Sequence, residues 1–505
     1  MRALSLRLAR ALSGGAYRRL REALGQPARA QGAVRARLAR ELAATAYGRS
    51  LGMRGPGDWD RVPVASYEDL EPWVRREREG EAGALAPGPV LFWERTSGST
   101  GPAKTIPYTP RLRGAFSEMF LAWVHDLLAH GPPLASGRLY ACVTPRLRPP
   151  GEALAGRPVG TADERDFLDG WVGQVLGAFL VAPPGLDREH DPQRFWGRLG
   201  RALLATRDLE VLSVWSPSFL KVLFDRLEAQ APELEADPDP RVAQVAAQLT
   251  PGETDWTAVW PQLRLVSCWD AGWAAPQAAW LARRLPGVLV QGKGLLATEG
   301  PVTLPLLGAP GPVPLVHQVL IELRDSAGAL GGLLEAREGE VYELVVSFPG
   351  GLPRYLFGDR VRVGPHVGAT PSLELVGRGP SVSDLVGEKL HEDVVEVALA
   401  RLGLEEGFFR ALLPRPGERP GYLLLLDRFG GDAGALGARL DSALQAAHHY
   451  EQARLLGQLA PPEVVVCPDA AERVARALEA RGIRRGDQKG AALLDLGPAE
   501  VLGEG

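Results

Sequence analysis

Between residues 90 and 291, short apolar runs that read as strands alternate with helical patterns. The strand-like runs lie at 90–93, 139–143, 209–215, 263–268 and 288–291, with helices read at 112–130, 192–206, 219–229 and 275–285. Strand, helix, strand at this rhythm predicts an α/β fold with largely parallel sheets. A chain of 505 residues is also too long for one ordinary core, so two domains are expected, 1–378 and 379–505. Within the first, "LVHQVLIELRD", "VYELVVSF", "RVRVG" and "SLELVGR" alternate at period two. They predict antiparallel, curled strands, a β-barrel-like part of an otherwise mixed and parallel domain. The second domain reads as a small α+β cap of about 125 residues, within the usual domain range. It should hold a helix near 391–402, strands at Gly421–Leu426 and Glu463–Val466, and helices at 433–457 and 469–481. The first 50 residues read as helices. Val34, Leu38 and Leu42 form one apolar stripe, and Leu4, Leu8 and Leu12 a second that suits docking on the body. Ser66 opens S-Y-E-D, a helix start.

A net charge of −4 gives no electrostatic reason for a nucleic-acid partner. Cys142, Cys268 and Cys467 form no C-x-x-C pair, which suits a reducing, cytoplasmic setting and no disulfide framework. The eight histidines are scattered; His448 and His449 are adjacent and do not share a helix face. The longest apolar candidate span, 171–183, contains glycines and stops too early to cross a bilayer. The arginine-rich start has the composition of a transit peptide, but arginine is abundant along the whole chain, and a docked helix is the better reading.

The stretch with most chemistry is "ERTSGSTGPAKTIPYTP", residues 94–110. Glycines let backbone N–H groups turn inward, hydroxyls add donors and a lysine adds a point charge, which together suit a polyphosphate. The spacing is not a Walker A loop. Gly98-Ser99-Thr100-Gly101 is one residue short of a nucleophile elbow. As a bare pattern, a flexible surface turn remains open.

Thr96-Ser97-Gly98-Ser99-Thr100-Gly101-Pro102-Ala103-Lys104 resembles the phosphate loop of adenylate-forming enzymes. The continuation "KTIPYTPRL" resembles the acyl-acid amido synthetases of the auxin-responsive promoter family. "TAYGRSLG", "VPVASYEDLEPWVRREREGE", "VSCWDAGWAAPQAAWLARRLPGVLVQGKGLLATEG", "RYLFGDRVRV", "LVGRGPSVSDLVGEKLHEDVV" and "GDQKGAALLD" resemble further blocks of that family, in its order. The resemblance implies the adenylate-forming enzyme fold. It implies ATP and Mg²⁺ as cofactors, and a carboxylic acid and an amine, expected to be an amino acid, as partners. No membrane partner is expected, and oligomeric state is left open.

By the same resemblance Ser97, Gly98, Ser99, Thr100 and Lys104 would hold phosphates, and Thr298 the α-phosphate. Glu299 would carry the metal, residues 291–295 would line the adenine pocket, and Tyr355 and Asp359 would take the ribose. Lys389 and Lys489 would be catalytic lysines of the small domain, beyond a hinge at 378–384. Leu356 stands where the family has an arginine, and Gly490-Ala491 where it has a Pro-Arg pair. Trp123, His125, Trp215 and Phe219 are candidates for the acyl pocket. An acyl-CoA ligase with the same first half-reaction, and an inactive nucleotide-binding scaffold, stay open as alternatives. The 377–393 stretch holds Arg378 and Lys389 against Asp384, Glu388, Glu392 and Asp393. That acidic bias disfavours a polyphosphate second substrate such as CoA.

Overall fold

The computed structural model describes residues 2–95, 104–141, 153–154, 156–160, 167–183, 185–186, 189, 191–271, 274–378, 382–404, 409–481 and 492–503. The strand–helix rhythm is realised as a four-stranded parallel sheet: Arg138–Ala141, Leu209–Ser213, Leu265–Ser267 and Leu289–Gln291, in chain order. Helices Pro192–Ala205, Pro217–Ala229 and Ala275–Arg284 lie in the connections. Side chains alternate across a strand. Val211 and Leu265 pack with Leu127 of the Pro110–His130 helix. Leu212 and Val266 pack on the other side with Leu223 and Phe224. Burial on both faces is why these runs are almost wholly apolar.

Phe92–Arg95 is not part of that sheet. It pairs antiparallel with Thr105–Tyr108, Arg95 opposite Thr105 and Phe92 opposite Tyr108. Pro107 hides the second strand in the sequence; a proline has no ladder N–H and is confined to edges. The expected barrel-like part is a five-stranded antiparallel sheet, ordered Leu330–Gly332, Leu320–Arg324, Val341–Phe348, Leu352–Val367 and Thr370–Arg378. It does not close on itself among the described residues.

In the C-terminal part, Gly421–Leu426 lies between an antiparallel Arg410–Arg415 and a parallel Glu463–Val466. Leu412, Leu424 and Leu426 bury against Leu436 and Leu440 on one side, and Leu413, Leu423 and Leu425 against Val474 on the other. The N-terminal helix, Arg2–Gly25, departs from expectation. Leu8 and Leu12 are 58% and 50% exposed, and the docking stripe is Ala16, Leu20, Ala23 and Leu24; the Leu4 side chain lies outside the described ones. No helix among the described residues is long and apolar enough to cross a membrane.

One buried acid fixes the start of the parallel sheet. Glu210, 2% exposed, accepts from the backbone N–H groups of Ala135, Ser136 and Gly137 at 2.7, 3.0 and 2.7 Å. Glu210→Ala strands three donors and is expected to cost about 3 kcal/mol. Thermal unfolding checks this, and an unchanged midpoint would mean that water satisfies those groups.

Candidate active site

Residues 96–103 join the two strands of the first hairpin. Ser97, Gly98, Ser99 and Thr100 therefore lie outside the described residues, as does Lys489. The end of that loop is pinned. Tyr67 donates its hydroxyl to the Thr105 carbonyl at 3.1 Å and accepts from the Thr105 N–H at 2.8 Å. Tyr67 begins the Tyr67–Arg78 helix, which has the expected capping box between Ser66 and Asp69. Lys104 Nζ stands 3.3 Å from Glu68 Oε1 and 5.4 Å from the centre of the Tyr67 ring. Its ammonium is thus held at the loop exit with its side chain 26% exposed.

Thr298 and Glu299 form the turn between Leu296–Ala297 and Gly300–Pro301. Glu299 is buried and accepts from the Tyr355 hydroxyl at 3.3 Å; Thr298 is half-buried. Gly300 sits at φ 152, and a Cβ there would strike the Phe348 ring and lie 3.2 Å from Leu112 Cδ1. Only glycine fits, so the residue after Glu299 is fixed by sterics. Tyr108 is fully buried nearby. Burial first, then the charges of Glu94 and Glu299, pushes its phenol far up, so it keeps its proton. The Tyr108 hydroxyl has no hydrogen-bond partner among the described residues.

Tyr355 and Asp359 lie on the long Leu352–Val367 strand and are each 4% exposed. A bulge separates them. Glu343 pairs with Arg360 and Val345 with Leu356, so Leu344 alone faces the span Phe357, Gly358 and Asp359. Gly358 takes φ 79 within it. Bulges of this kind re-aim a side chain and recur beside active sites. Leu356, where the resemblance expects arginine, bonds through its N–H to the Ala65 carbonyl at 2.8 Å.

At the carboxyl ends of the parallel strands stands a lysine that the sequence reading places only within the adenine stretch. Lys293 Nζ donates to Ser213 Oγ at 2.8 Å and Ser267 Oγ at 3.3 Å, and lies 5.3 Å from the Trp215 ring centre. Trp215 is 6.0 Å from Trp269, whose ring lies 3.2 Å from the Cβ position of Gly387. This end of an open parallel sheet is where ligands bind in α/β folds. The available signal was a lysine between two glycines just past a strand, Gly292-Lys293-Gly294.

The Gly387-Glu388-Lys389 turn is built around a buried acid. Val382–Ser383 pairs with Leu390–His391. Between them Glu388, 1% exposed, accepts from the N–H groups of Leu385 and Val386 at 2.8 and 2.7 Å and from the Tyr422 hydroxyl. Gly387 N–H donates to Asp384 at 2.8 Å. Lys389 follows at φ 41, a left-handed conformation uncommon for a side-chain-bearing residue. The acidic bias read at 377–393 is therefore not a surface field. Glu388 is turned inward, and Glu392 accepts from the Ala492 N–H at 2.8 Å.

The four acyl-pocket candidates separate. Trp123 donates its indole N–H to Gln291 Oε1 at 2.9 Å and lines a cavity against the parallel sheet. Trp215 stands beside Lys293. His125 turns to the N-terminal helix, with Nδ1 2.9 Å from the Arg10 carbonyl and its ring 5.0 Å from Tyr17. Phe219, 3% exposed, packs with Trp196 at 4.6 Å in the core on the opposite face of the sheet.

Known proteins share this fold. AtGH3.15 acyl acid amido synthetase in complex with 2,4-DB superposes with a TM-score of 0.64 at 18% identity, over 96% of this chain and 94% of that one. A second structure, GH3.15 acyl acid amido synthetase, gives 0.62 at 18%, over 95% and 94%. The indole-3-acetic acid-amido synthetase GH3.8 of Oryza sativa subsp. indica is 25% identical, over 86% of this chain and 82% of that protein. Residues 322–378, which carry Tyr355 and Asp359, match the model of the GH3 family central domain. Residues 16–290, more than half the chain and inclusive of Lys104 and all but the last residue of the parallel sheet, match the GH3 family N-terminal domain, and the chain belongs to the GH3 family.

Proposed function

We propose that this protein is an ATP-dependent ligase that activates a carboxylic acid as its acyl-adenylate and transfers the acyl group to the amine of an amino acid. The observation that carries the reading is the meeting of Glu299 and Tyr355 at 3.3 Å with Asp359 four residues along the same strand. A carboxylate is a poor electrophile because its leaving group would be an oxide. Its attack on the α-phosphate of ATP expels pyrophosphate, and AMP then becomes the leaving group. The charge gathers on phosphate oxygens, so catalysis is positioning and electrostatics.

Lys104 supplies positive charge at the loop exit, with Ser97, Gly98, Ser99 and Thr100 before it. Asp359 accepts from the ribose hydroxyls, beside Tyr355, and Thr298 contacts the α-phosphate. Lys293 offers a second ammonium where the sheet ends. A carboxylate is the hard oxygen donor that Mg²⁺ selects, and Mg²⁺ commonly takes one or two carboxylates with substrate phosphates. Glu299, with the Tyr108 hydroxyl close by, suits that role; the ion would neutralise phosphate charge. Trp123 and Trp215 flank the acid, whereas Phe219 packs in the core and His125 packs against the N-terminal helix, which takes both out of the acyl pocket. Residues 379–505 form the cap that presents Lys389 and Lys489, and the protein works in the cytoplasm. The relatives' printed names, each an amido synthetase, support an amine over a thiol as acceptor.

The test is acid-dependent exchange of pyrophosphate into ATP, followed by addition of amino acids or CoA. Amide and AMP are expected in the products. Robust thioester and no amide across the common amino acids would move the reading to a CoA ligase. No exchange with any acid would leave a nucleotide-binding scaffold.

A further inference from the structure

A cavity lies between the N-terminal helix, the Pro110–His130 helix, the Gly170–Gly177 helix and the strands Arg138–Ala141 and Leu209–Ser213. Its enclosed space is about 80 Å³, and about 720 Å³ when the open solvent at its mouth is counted in. Its lining is leucine, valine, alanine, glycine, phenylalanine and tryptophan throughout. No charged side chain, amide or hydroxyl is among the lining residues. Trp123 is one of the two indoles there, and its N–H is already given to Gln291. Interiors are close-packed, and a void with wholly apolar walls holds water poorly and binds hydrocarbon.

The cavity is joined to the adenylation residues by one helix. Leu112 of Pro110–His130 packs at Gly300, next to Glu299. Trp123 of the same helix meets Gln291, and Phe120, Leu127 and Leu128 line the cavity. From Leu112 to Phe120 the helix rises about 12 Å. An acid whose carboxylate meets ATP at the Leu112 end of this helix must therefore reach about that far before its tail enters the apolar space, and a compact one-ring acid stops short. The far end opens between Leu12, 50% exposed, Trp171, 48%, and Val175, 37%. Such side chains in contact with water at one mouth are explained by an occupant that covers them.

We infer that the acid substrate is an amphiphile with a long, unbranched hydrocarbon tail, which lies in this cavity while its carboxylate meets ATP. The inference rests on the reading of the chain as an acid-activating ligase. The N-terminal helix is then a wall of the substrate site: Leu6, Ala9 and Leu12 touch the tail. Apart from the indole N–H of Trp171 at the mouth, no lining side chain offers a donor or acceptor to a ring hydroxyl, a ketone or a second carboxylate.

The test uses the full chain and a series of straight-chain acids from butanoate to hexadecanoate. In pyrophosphate exchange the KM for the acid should fall about fourfold per added methylene until the cavity is full. Ala9→Phe and Val175→Trp should raise the KM for the longer acids at least tenfold more than the KM for butanoate, and a uniform change across the series would count against the tail site. Binding is read separately, without ATP, by the fluorescence of a polyene fatty acid and its displacement by dodecanoate but not by benzoate. Exchange that is best with benzoate-sized acids, with no polyene binding, overturns the inference and leaves the ligase reading intact. Polyene binding that both variants weaken, with no exchange by any acid, upholds the tail site and removes the ligase reading. No binding and no exchange removes both.

Discussion

Lys104→Ala is expected to lower acid-dependent pyrophosphate exchange about 100-fold or more, with almost no loss of stability. The two effects separate because of what the lysine touches. Its ion-pair partner Glu68 is 71% exposed, and surface pairs of this kind contribute about 0–1 kcal/mol. The Thr105 backbone beside it is held by Tyr67 whether or not the ammonium is present. A charge aimed at developing phosphate charge in a shielded site is worth far more, about 100- to 1,000-fold in rate per donor removed. Exchange rate and thermal midpoint should be measured on one preparation. Near-normal exchange in a folded variant would remove Lys104 from the phosphate site. A collapse of the midpoint would instead show that Glu68 and Lys104 hold the hairpin.

The parallel sheet was legible because burial on both faces leaves no ambiguity: Leu209–Ser213 and Leu265–Ser267 have no polar alternation to misread. The long antiparallel strands were legible for the opposite reason, a clean period of two. Thr105–Tyr108 was not, since a strand of four residues with a proline inside carries too little pattern. Arg410–Arg415 was missed likewise; it includes Pro414 and follows a glycine-containing stretch. Leu8 and Leu12 have the spacing of a docking stripe, yet both are exposed, Leu12 at the cavity mouth. Periodicity gives a face of a helix and not what that face meets.

The chemistry-bearing residues came from motif resemblance, and their surroundings came from the fold. Glu388 shows the difference. In sequence it adds one negative charge to the 377–393 stretch, and in the structure it is an interior acceptor for two backbone donors and a tyrosine. Lys293 shows the converse. A single lysine between glycines has no spacing to interpret, and only the sheet ends reveal that it binds Ser213 and Ser267 together.

Glu388 should also make stability depend on pH in a direction unusual for a carboxylate. Burial, then the charge of Asp384, pushes its carboxyl up to about 7 against an ordinary 4.5, despite the hydrogen bonds from Tyr422, Leu385 and Val386. Between those values the folded chain holds a proton that the unfolded chain has lost. The stabilising contribution is therefore fully present below 4.5 and is lost as pH rises through about 7, by up to about 3 kcal/mol. Asp270 and Asp495 are raised mainly by burial and act in the same sense. Asp58, Asp69 and Asp441 are lowered and act in the opposite sense, but in a more acidic window. The denaturation midpoint of the full chain, measured from pH 5 to 8, should fall with a slope that Glu388→Gln flattens. That variant should be less stable at pH 5, because the amide NH₂ only donates and leaves one of the two backbone N–H groups without its oxygen. Tyr422→Phe is the sharper instrument. It removes a donor that favours the charged form, so the descent should move to higher pH, since only the two N–H groups then stabilise the carboxylate. A slope unchanged by Glu388→Gln, or a Tyr422→Phe transition shifted to lower pH, would show that this carboxyl does not titrate in the folded turn. If the slope belongs to Glu388, the backbone of Lys389 is set by a group that changes charge near neutrality, and Lys389 presentation shares its pH dependence.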